Sequence, residues 1–72
     1  MSKPTRITNA IRTLRFAHGE MTQAQLAERI GVTRQTIIAI EQGRYSPSLE
    51  MAFQIAHVFG VALDEVFAYS ED

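Results

Sequence analysis

Hydrophobic residues along this 72-residue chain recur mostly at three- and four-residue spacing, which is the spacing of one face of an α-helix. The first such stripe consists of Ile7, Ala10, Ile11, Leu14 and Ala17. It predicts a first helix from about Thr5 to His18, and Gly19 is a residue at which that helix can end.

Two short helices are predicted between Thr22 and Gly43. Thr22 and Gln25 fit a T-x-x-Q capping box at the start of the second helix. Gly31 supplies a residue that can enter the left-handed conformation at its end, and Thr33 is placed to cap the third helix. The positions expected to face inward are Leu26, Ala27, Ile30, Ile37 and Ile40. A small residue followed by a glycine four positions later suits two helices that cross closely around a tight turn.

Two further helices are predicted in the last third of the chain. Ser48 is placed to cap a fourth helix that Gly60 closes, and a short fifth helix is expected from about Leu63 to Phe67. The buried stripe expected in the fourth helix is Leu49, Ala52, Phe53, Ala56 and Phe59. Five helices with short connections predict an all-α fold, a single domain over residues 1–72 with its core at about 6–68.

Composition restricts the classes of protein to which the chain can belong. There is no cysteine, so neither a disulfide nor a cysteine metal site is expected, and 46% of the residues are hydrophobic, enough for a helical core. No apolar run approaches the roughly 18 residues of a membrane span, and residues 1–20 lack the apolar centre of a signal peptide. We therefore expect a soluble, cytoplasmic protein with no membrane partner.

Candidate catalytic and metal-binding residues are sparse. His18 and His57 are too far apart in sequence for a local metal pair, and we expect no metal or other cofactor. The sequence contains no cysteine nucleophile, no Ser-His-Asp pattern and no recognised glycine-rich phosphate loop. We expect the protein not to be an enzyme.

The net charge of −1 conceals a division between the two parts of the chain. All seven basic residues lie within residues 1–44 beside three acidic ones, a net charge of +4. Residues 45–72 contain five acidic residues and no Lys or Arg, a net charge of −5. Chance in a short chain is one explanation, and the other is that one face meets phosphate while the other turns away from it.

The outward face of the third helix follows from its inward face. If Ile37 and Ile40 are buried, the residues facing away from the core are Thr33, Arg34, Gln35, Ile38, Ala39 and Gln42. Arg can form paired hydrogen bonds with guanine and Gln with adenine, while Ile38 and Ala39 could lie against thymine methyl groups. An ordinary solvated face is the alternative for Arg34 and Gln35, and partial burial is the alternative for Ile38.

These motifs together resemble those of the Xre/Cro-CI type helix-turn-helix regulators of bacteria and phages, in particular their compact stand-alone members. The resemblance covers about residues 6–68 and is carried by Met21-Thr22-Gln23, Leu26-Ala27, Gly31-Val32-Thr33-Arg34-Gln35-Thr36-Ile37, Ile40-Glu41-x-Gly43, Pro47-Ser48-Leu49 and Val61-x-Leu63-Asp64-x-x-Phe67. It implies a five-helix Cro/CI repressor-like DNA-binding domain, with the helix-turn-helix at helices 2 and 3.

The resemblance also implies roles for individual residues. The base-reading face would consist of Thr33, Arg34, Gln35, Ile38 and Ala39. Backbone phosphates would be bound by Gln23, at the start of the second helix, and by Gln42 and Arg44 beside it. Arg15 and Glu41 would form a structural ion pair.

Members of this family commonly bind palindromic operators as twofold dimers. The interface candidates here are Leu63, Val66, Phe67 and Tyr69, with part of the fourth helix. We therefore expect a homodimeric regulator of transcription that binds double-stranded DNA sequence-specifically, acts as a repressor and associates with the nucleoid of a bacterium when bound. An antitoxin, or another protein-binding module with the same fold, is the alternative, which the intact Thr33-Arg34-Gln35 segment disfavours.

Overall fold

The computed structural model describes residues 5–71, in which five helices and two short strands occur. The helices are α1 (Ile11–Ala17), α2 (Gln23–Ile30), α3 (Arg34–Glu41), α4 (Leu49–Phe59) and α5 (Leu63–Val66). The strands are β1 (Ile7–Asn9) and β2 (Phe67–Tyr69). The mostly helical, five-helix architecture confirms the predicted fold class. No helix in the described part of the chain has the length and apolar character that crossing a membrane requires.

The helix-turn-helix unit begins and ends where the sequence indicates. The Thr22 hydroxyl accepts a hydrogen bond from the Gln25 backbone N–H at 3.0 Å, and the Gln25 side chain accepts one from the Thr22 N–H at 2.8 Å. Gly31 follows α2 with a φ of 75°, a conformation that favours glycine. The Thr33 hydroxyl then accepts from the Thr36 N–H at 3.3 Å and caps α3. The predicted capping box and the predicted glycine turn are confirmed.

The core lies where α2 and α3 pack on one another and on α1, α4 and α5. All five positions expected to face inward in the helix-turn-helix, Leu26, Ala27, Ile30, Ile37 and Ile40, are buried. They share one cluster with Ile11, Met21, Ile55, Ala56, Phe59 and Val66. The inner side of α3 packs against this cluster, so the opposite side of the helix faces solvent.

The predicted start of the first helix is wrong. The helix begins at Ile11 rather than at about Thr5, and Ile7–Asn9 form a strand that pairs antiparallel with Phe67–Tyr69. The Asn9 side-chain oxygen accepts the Ile11 N–H at 3.2 Å, which satisfies a backbone group of the first turn and marks the entry to α1. Correspondingly, α5 ends at Val66, one residue earlier than predicted.

The predicted buried stripe of the fourth helix is also partly wrong. Leu49 and Phe53 are 69% and 54% exposed, whereas Ile55, which was not in the predicted stripe, is fully buried. The buried face of α4 is Ala52, Ile55, Ala56 and Phe59. Because α4 carries apolar residues on both sides, helical spacing alone fits two faces, and packing against α2 and α5 selects one of them.

Candidate nucleic-acid interface

The outer side of α3 presents the residues expected to read bases. Thr33, Arg34 and Gln35 are exposed in the first turn, and Ile38 and Ala39 are half-buried further along. The position of Ile38 therefore corresponds to the edge of the outward face rather than to its centre. Arg34 and Gln35 are thus exposed at the start of this helix to contact a ligand, while the hydroxyl of Thr33 also caps the helix.

An ion pair ties the end of α3 to α1. Arg15 donates from Nε to Glu41 Oε2 at 2.7 Å and from Nη2 to Glu41 Oε1 at 3.2 Å. Its Nη1 donates to the Met21 backbone carbonyl at 2.8 Å, so the residues just before α2 are joined to the same pair. Arg15 is only 7% exposed, yet every buried polar side-chain atom in residues 5–71 has a hydrogen-bond partner.

Gln23, the expected phosphate contact, belongs to this network. Its Nε2 donates to Glu41 Oε1 at 3.2 Å, and the side chain is half-buried at the first position of α2. An amide nitrogen carries two N–H groups, so one remains for another acceptor while the first fixes its direction. Glu41 thus orients a polar side chain on α2 as well as neutralising Arg15.

A single open cleft brings several of these residues together. It has a volume of about 860 Å³ and is lined by Asn9, Arg12, Arg15, Phe16, Thr22, Gln23, Ala24, Arg34, Glu41 and Gln42. Three of the residues proposed to contact DNA, Gln23, Arg34 and Gln42, therefore lie on one concave surface together with the ion pair of Arg15 and Glu41. Arg44 is exposed but does not line this cleft, since it follows α3 in the loop and bonds through its N–H to the Ala39 carbonyl at 2.9 Å.

The charge of the cleft is positive. Three arginines line it against one carboxylate, and that carboxylate, on Glu41, is already bound by Arg15 and Gln23. Within residues 5–71 neither Arg12 nor Arg34 forms a salt bridge with a carboxylate. Two guanidinium groups consequently face the cleft without a balancing anion, which favours an anionic ligand.

Arg12 and Phe16 line the cleft but are not among the residues singled out from the sequence. They lie four positions apart on α1, both are exposed, and the Arg12 guanidinium carbon is 5.6 Å from the centre of the Phe16 ring. An arginine and an aromatic residue at this spacing, outside the buried stripe, is a pattern that could have indicated them.

The four residues proposed for a subunit interface have different environments. Val66 is 1% exposed and belongs to the core, so its inclusion is wrong because its side chain is not offered to a partner. Leu63 and Phe67 are half-buried, and Tyr69 is 66% exposed. The last three belong to a continuous surface that we call the apolar patch, formed by Ile7, Pro47, Leu49, Leu63, Phe67 and Tyr69. The charged residue Asp64 also lines this surface.

Comparison with known proteins settles the family. The profile of the helix-turn-helix family matches residues 11–66, which include all five helices. The chain belongs to the Xre/Cro-CI type helix-turn-helix family. It is a transcriptional regulator with a helix-turn-helix DNA-binding fold and is not an enzyme.

Relatives of this regulator occur in archaea and in bacteria. An uncharacterized helix-turn-helix-type transcriptional regulator from Methanocaldococcus jannaschii is 50% identical over 64 residues, which cover 89% of this chain and 96% of that protein. The cryptic phage CTXphi transcriptional repressor RstR of Vibrio cholerae is 36% identical over 64 residues, 89% of this chain and 57% of the repressor. The expected bacterial source stays a prediction, since relatives come from both domains.

A solved structure of similar fold is the restriction-modification controller protein C.AhdI from Aeromonas hydrophila. It superimposes with a TM-score of 0.69 and 29% sequence identity, over 76% of this chain and 78% of that protein. The likeness extends over most of both chains, and the regulator therefore shares its fold with a controller protein as well as its sequence family with a repressor.

Proposed function

We propose that this regulator binds an operator in double-stranded DNA as a homodimer, reads base pairs in the major groove with α3, and represses transcription. The observation that carries the proposal is the polar first turn of α3, exposed on the rim of a positively charged cleft. A groove about 12 Å wide accepts one α-helix, and α3 presents the exposed side chains of Arg34 and Gln35 at its start.

The side chains of α3 suit direct base reading. Arg34 and Gln35 carry the hydrogen-bonding groups that pair with guanine and adenine edges, and Thr33 can donate or accept. Ile38 and Ala39, being half-buried, offer small apolar contacts at the helix edge, where a thymine methyl group could pack. The capped start of α3 fixes the direction in which these side chains leave the backbone.

Phosphate contacts would set the position of α3 in the groove. Gln23 lies at the start of α2, where backbone N–H groups and the helix dipole favour an anion. One of its amide N–H groups is held by Glu41, and the other can donate to a phosphate oxygen. Gln42 and Arg44 lie exposed beyond the other end of α3 and would bind phosphates there.

Two subunits are needed for a site long enough to be specific. The eight residues of α3 span about 12 Å at 1.5 Å per residue, or between three and four base pairs. The occupant that we propose for the apolar patch is a second copy of the chain, in a twofold arrangement that makes the patch self-complementary. Leu49 and Tyr69, both mostly exposed, would be the residues buried most extensively by pairing.

Repression is proposed from the relationship with a phage repressor. RstR is a repressor that is 36% identical to this chain. A protein that occupies an operator blocks polymerase by position alone and requires no further activity. Whether the regulator represses or activates depends on the position of its operator relative to the promoter. Footprinting on the regulated promoter would therefore test the assignment as a repressor.

The proposal is tested by selection from a pool of duplexes with a randomised centre. We expect enrichment of a palindromic motif whose half-sites lie about 34 Å apart, one turn of the duplex. A double variant, Arg34→Ala with Gln35→Ala, should lose this enrichment, whereas Arg29→Ala, an exposed arginine outside the cleft, should retain it. Absence of any enriched motif for the native chain would overturn the proposal and favour a protein-binding module.

A further inference from the structure

Phe16 is an exposed aromatic residue in a cleft whose other lining residues, apart from Ala24, are polar or charged. Its ring lies 5.6 Å from the guanidinium carbon of Arg15 and at the same distance from that of Arg12. Phe16 is 53% exposed, so burial of apolar surface does not explain its position. Cation–π attraction to the ring can hold both guanidinium groups there, although their two positive charges repel each other.

The two arginines differ in what else holds them. Arg15 is fixed by hydrogen bonds to Glu41 and to the Met21 carbonyl, and its charge is balanced by the Glu41 carboxylate. Arg12 is exposed, and within residues 5–71 no carboxylate lies within salt-bridge distance of it. The Phe16 ring therefore lies beside both the fixed guanidinium of Arg15 and the guanidinium of Arg12, whose charge no carboxylate of the described residues balances.

We propose that Arg12 binds a backbone phosphate of the operator and that Phe16 is the positioning residue that directs it. The inference rests on the proposed DNA binding and adds to it a contact from α1. Arg12 on α1 lines one wall of the cleft, whose other lining residues include Gln23 at the start of α2, Arg34 at the start of α3 and Gln42 just after α3. If α3 fills the groove, the neighbouring wall faces the sugar-phosphate strand at the groove edge rather than the base pairs.

The position of the Arg12 guanidinium over the Phe16 ring gives the phosphate contact its geometry. A guanidinium group that lies over an aromatic ring keeps its N–H groups, which point outward in its own plane, free for two phosphate oxygens. The ring also removes part of the rotational freedom of a long side chain before DNA arrives. Less entropy is then lost on binding, and the contact is stronger than that of an unsupported surface arginine.

A phosphate contact has a signature in the salt dependence of binding. For a labelled mixed-sequence duplex of about 30 base pairs, Arg12→Ala should reduce the slope of log K against log salt by about 0.9 for each bound subunit. The same relation predicts an affinity about eightfold weaker per subunit at about 0.1 M salt. The loss should be equal for all duplex sequences, because a phosphate carries no base identity.

Matched variants separate a specific contact from a general effect of charge. Arg29 is also an exposed arginine, but it lies on the other side of α2, near His57 and Phe53 and away from the cleft. Arg29→Ala should leave the slope unchanged and the affinity within about twofold. Arg12→Lys should keep the slope, since the charge remains, while losing part of the affinity with the planar group.

The role of Phe16 is tested by a double-mutant cycle with Arg12. Phe16→Leu keeps most of the apolar volume but removes the aromatic ring. It should weaken DNA binding when Arg12 is present and should have no further effect in the Arg12→Ala background. Equal losses in both backgrounds would show that Phe16 does not act through Arg12. Thermal melts of each variant, run beside the titrations, separate loss of binding from loss of folded protein.

The outcomes distinguish this inference from the proposed function. If the native chain binds the duplex with a steep salt dependence and Arg12→Ala has the same slope and affinity, the assignment of Arg12 is wrong and DNA binding stands. If Arg12→Ala changes the preference at one base pair only, Arg12 reads a base, which also overturns the proposal. A native chain that binds no duplex contradicts the proposed function itself.

Discussion

Arg15 on α1 holds Glu41 at the end of α3 through two hydrogen bonds, of 2.7 Å and 3.2 Å. Both side chains are about nine-tenths buried, with 9% and 10% of their surface exposed. Glu41 also accepts from Gln23, so one carboxylate connects α1, α2 and α3. The angle between α2 and α3, and with it the direction of the outer face of α3, is therefore fixed from the side opposite the turn at Gly31.

Arg15→Ala should destabilise the fold more than it weakens any contact with DNA. The substitution leaves the Glu41 carboxylate largely buried without its cation, and removal of one partner of a buried pair costs about 3–5 kcal/mol. That loss is comparable with the whole stability of a domain of this size, which is on the order of 5 kcal/mol. The free energy of unfolding is measured by urea titration, with Arg29→Ala as the exposed control. A free energy of unfolding equal to that of the native chain would refute the structural role of the pair.

Arg34→Ala should remove discrimination at one base pair of each half-site. If Arg34 donates to a guanine, the expected loss is about 1–3 kcal/mol, confined to duplexes that carry the preferred base at that position. The measurement is the affinity of native and variant chains for the selected motif and for each single-base substitution of it. Uniform weakening across all these duplexes would instead identify Arg34 as a phosphate contact.

Leu49→Glu should separate the proposed dimer into monomers. Leu49 is 69% exposed on the apolar patch, and a carboxylate placed there would be buried without a partner in both copies of a twofold interface. Phe53→Glu is the control, since Phe53 is 54% exposed on the same helix but lies outside the patch, near Arg29 and His57. Sedimentation at micromolar concentration distinguishes the two. A native chain that is monomeric there, with full operator affinity, would contradict the dimer.

Ala62→Ser should stabilise the chain. Ala62 occupies the position before α5 with an extended backbone, and its side chain cannot cap the helix. Glu65 already accepts the Ala62 N–H at 2.8 Å, so a serine hydroxyl would complete the reciprocal half of a capping box by accepting the Glu65 N–H. The expected gain in the free energy of unfolding is about 1 kcal/mol. Ala68→Ser, an exposed position in β2, is a control for the hydroxyl itself, and an equal change in both would argue against capping.

Local chemistry made most of the helix-turn-helix predictable. The caps at Thr22 and Thr33 bond to N–H groups three residues away, and Gly31 adopts a backbone conformation that few other residues tolerate. Such interactions depend on neighbours in sequence, so residue types at fixed offsets are enough to identify them. Burial of Ile37 and Ile40 then determined which side of α3 is free.

Non-local contacts account for what could not be predicted. The strand at Ile7–Asn9 exists because Thr8 pairs with Ala68, sixty residues away, and the same residues also fit helical spacing when considered alone. Val66, one of the interface candidates, belongs to the core of the described structure. The spacing of Arg12 and Phe16 could indicate a pair, but their place in the cleft depends on the contact between Arg15 of α1 and Glu41 of α3, 26 residues apart.

The central claim is that the outer side of α3 recognises a DNA sequence. Its most direct test is the affinity of the native chain for the selected motif and for a duplex of the same composition in scrambled order, across a range of salt concentrations. We expect log K to fall steeply with log salt for both duplexes, and binding of the motif to be about 10³-fold tighter or more near physiological salt. Equal affinity for the two duplexes, at every salt concentration, would contradict the account.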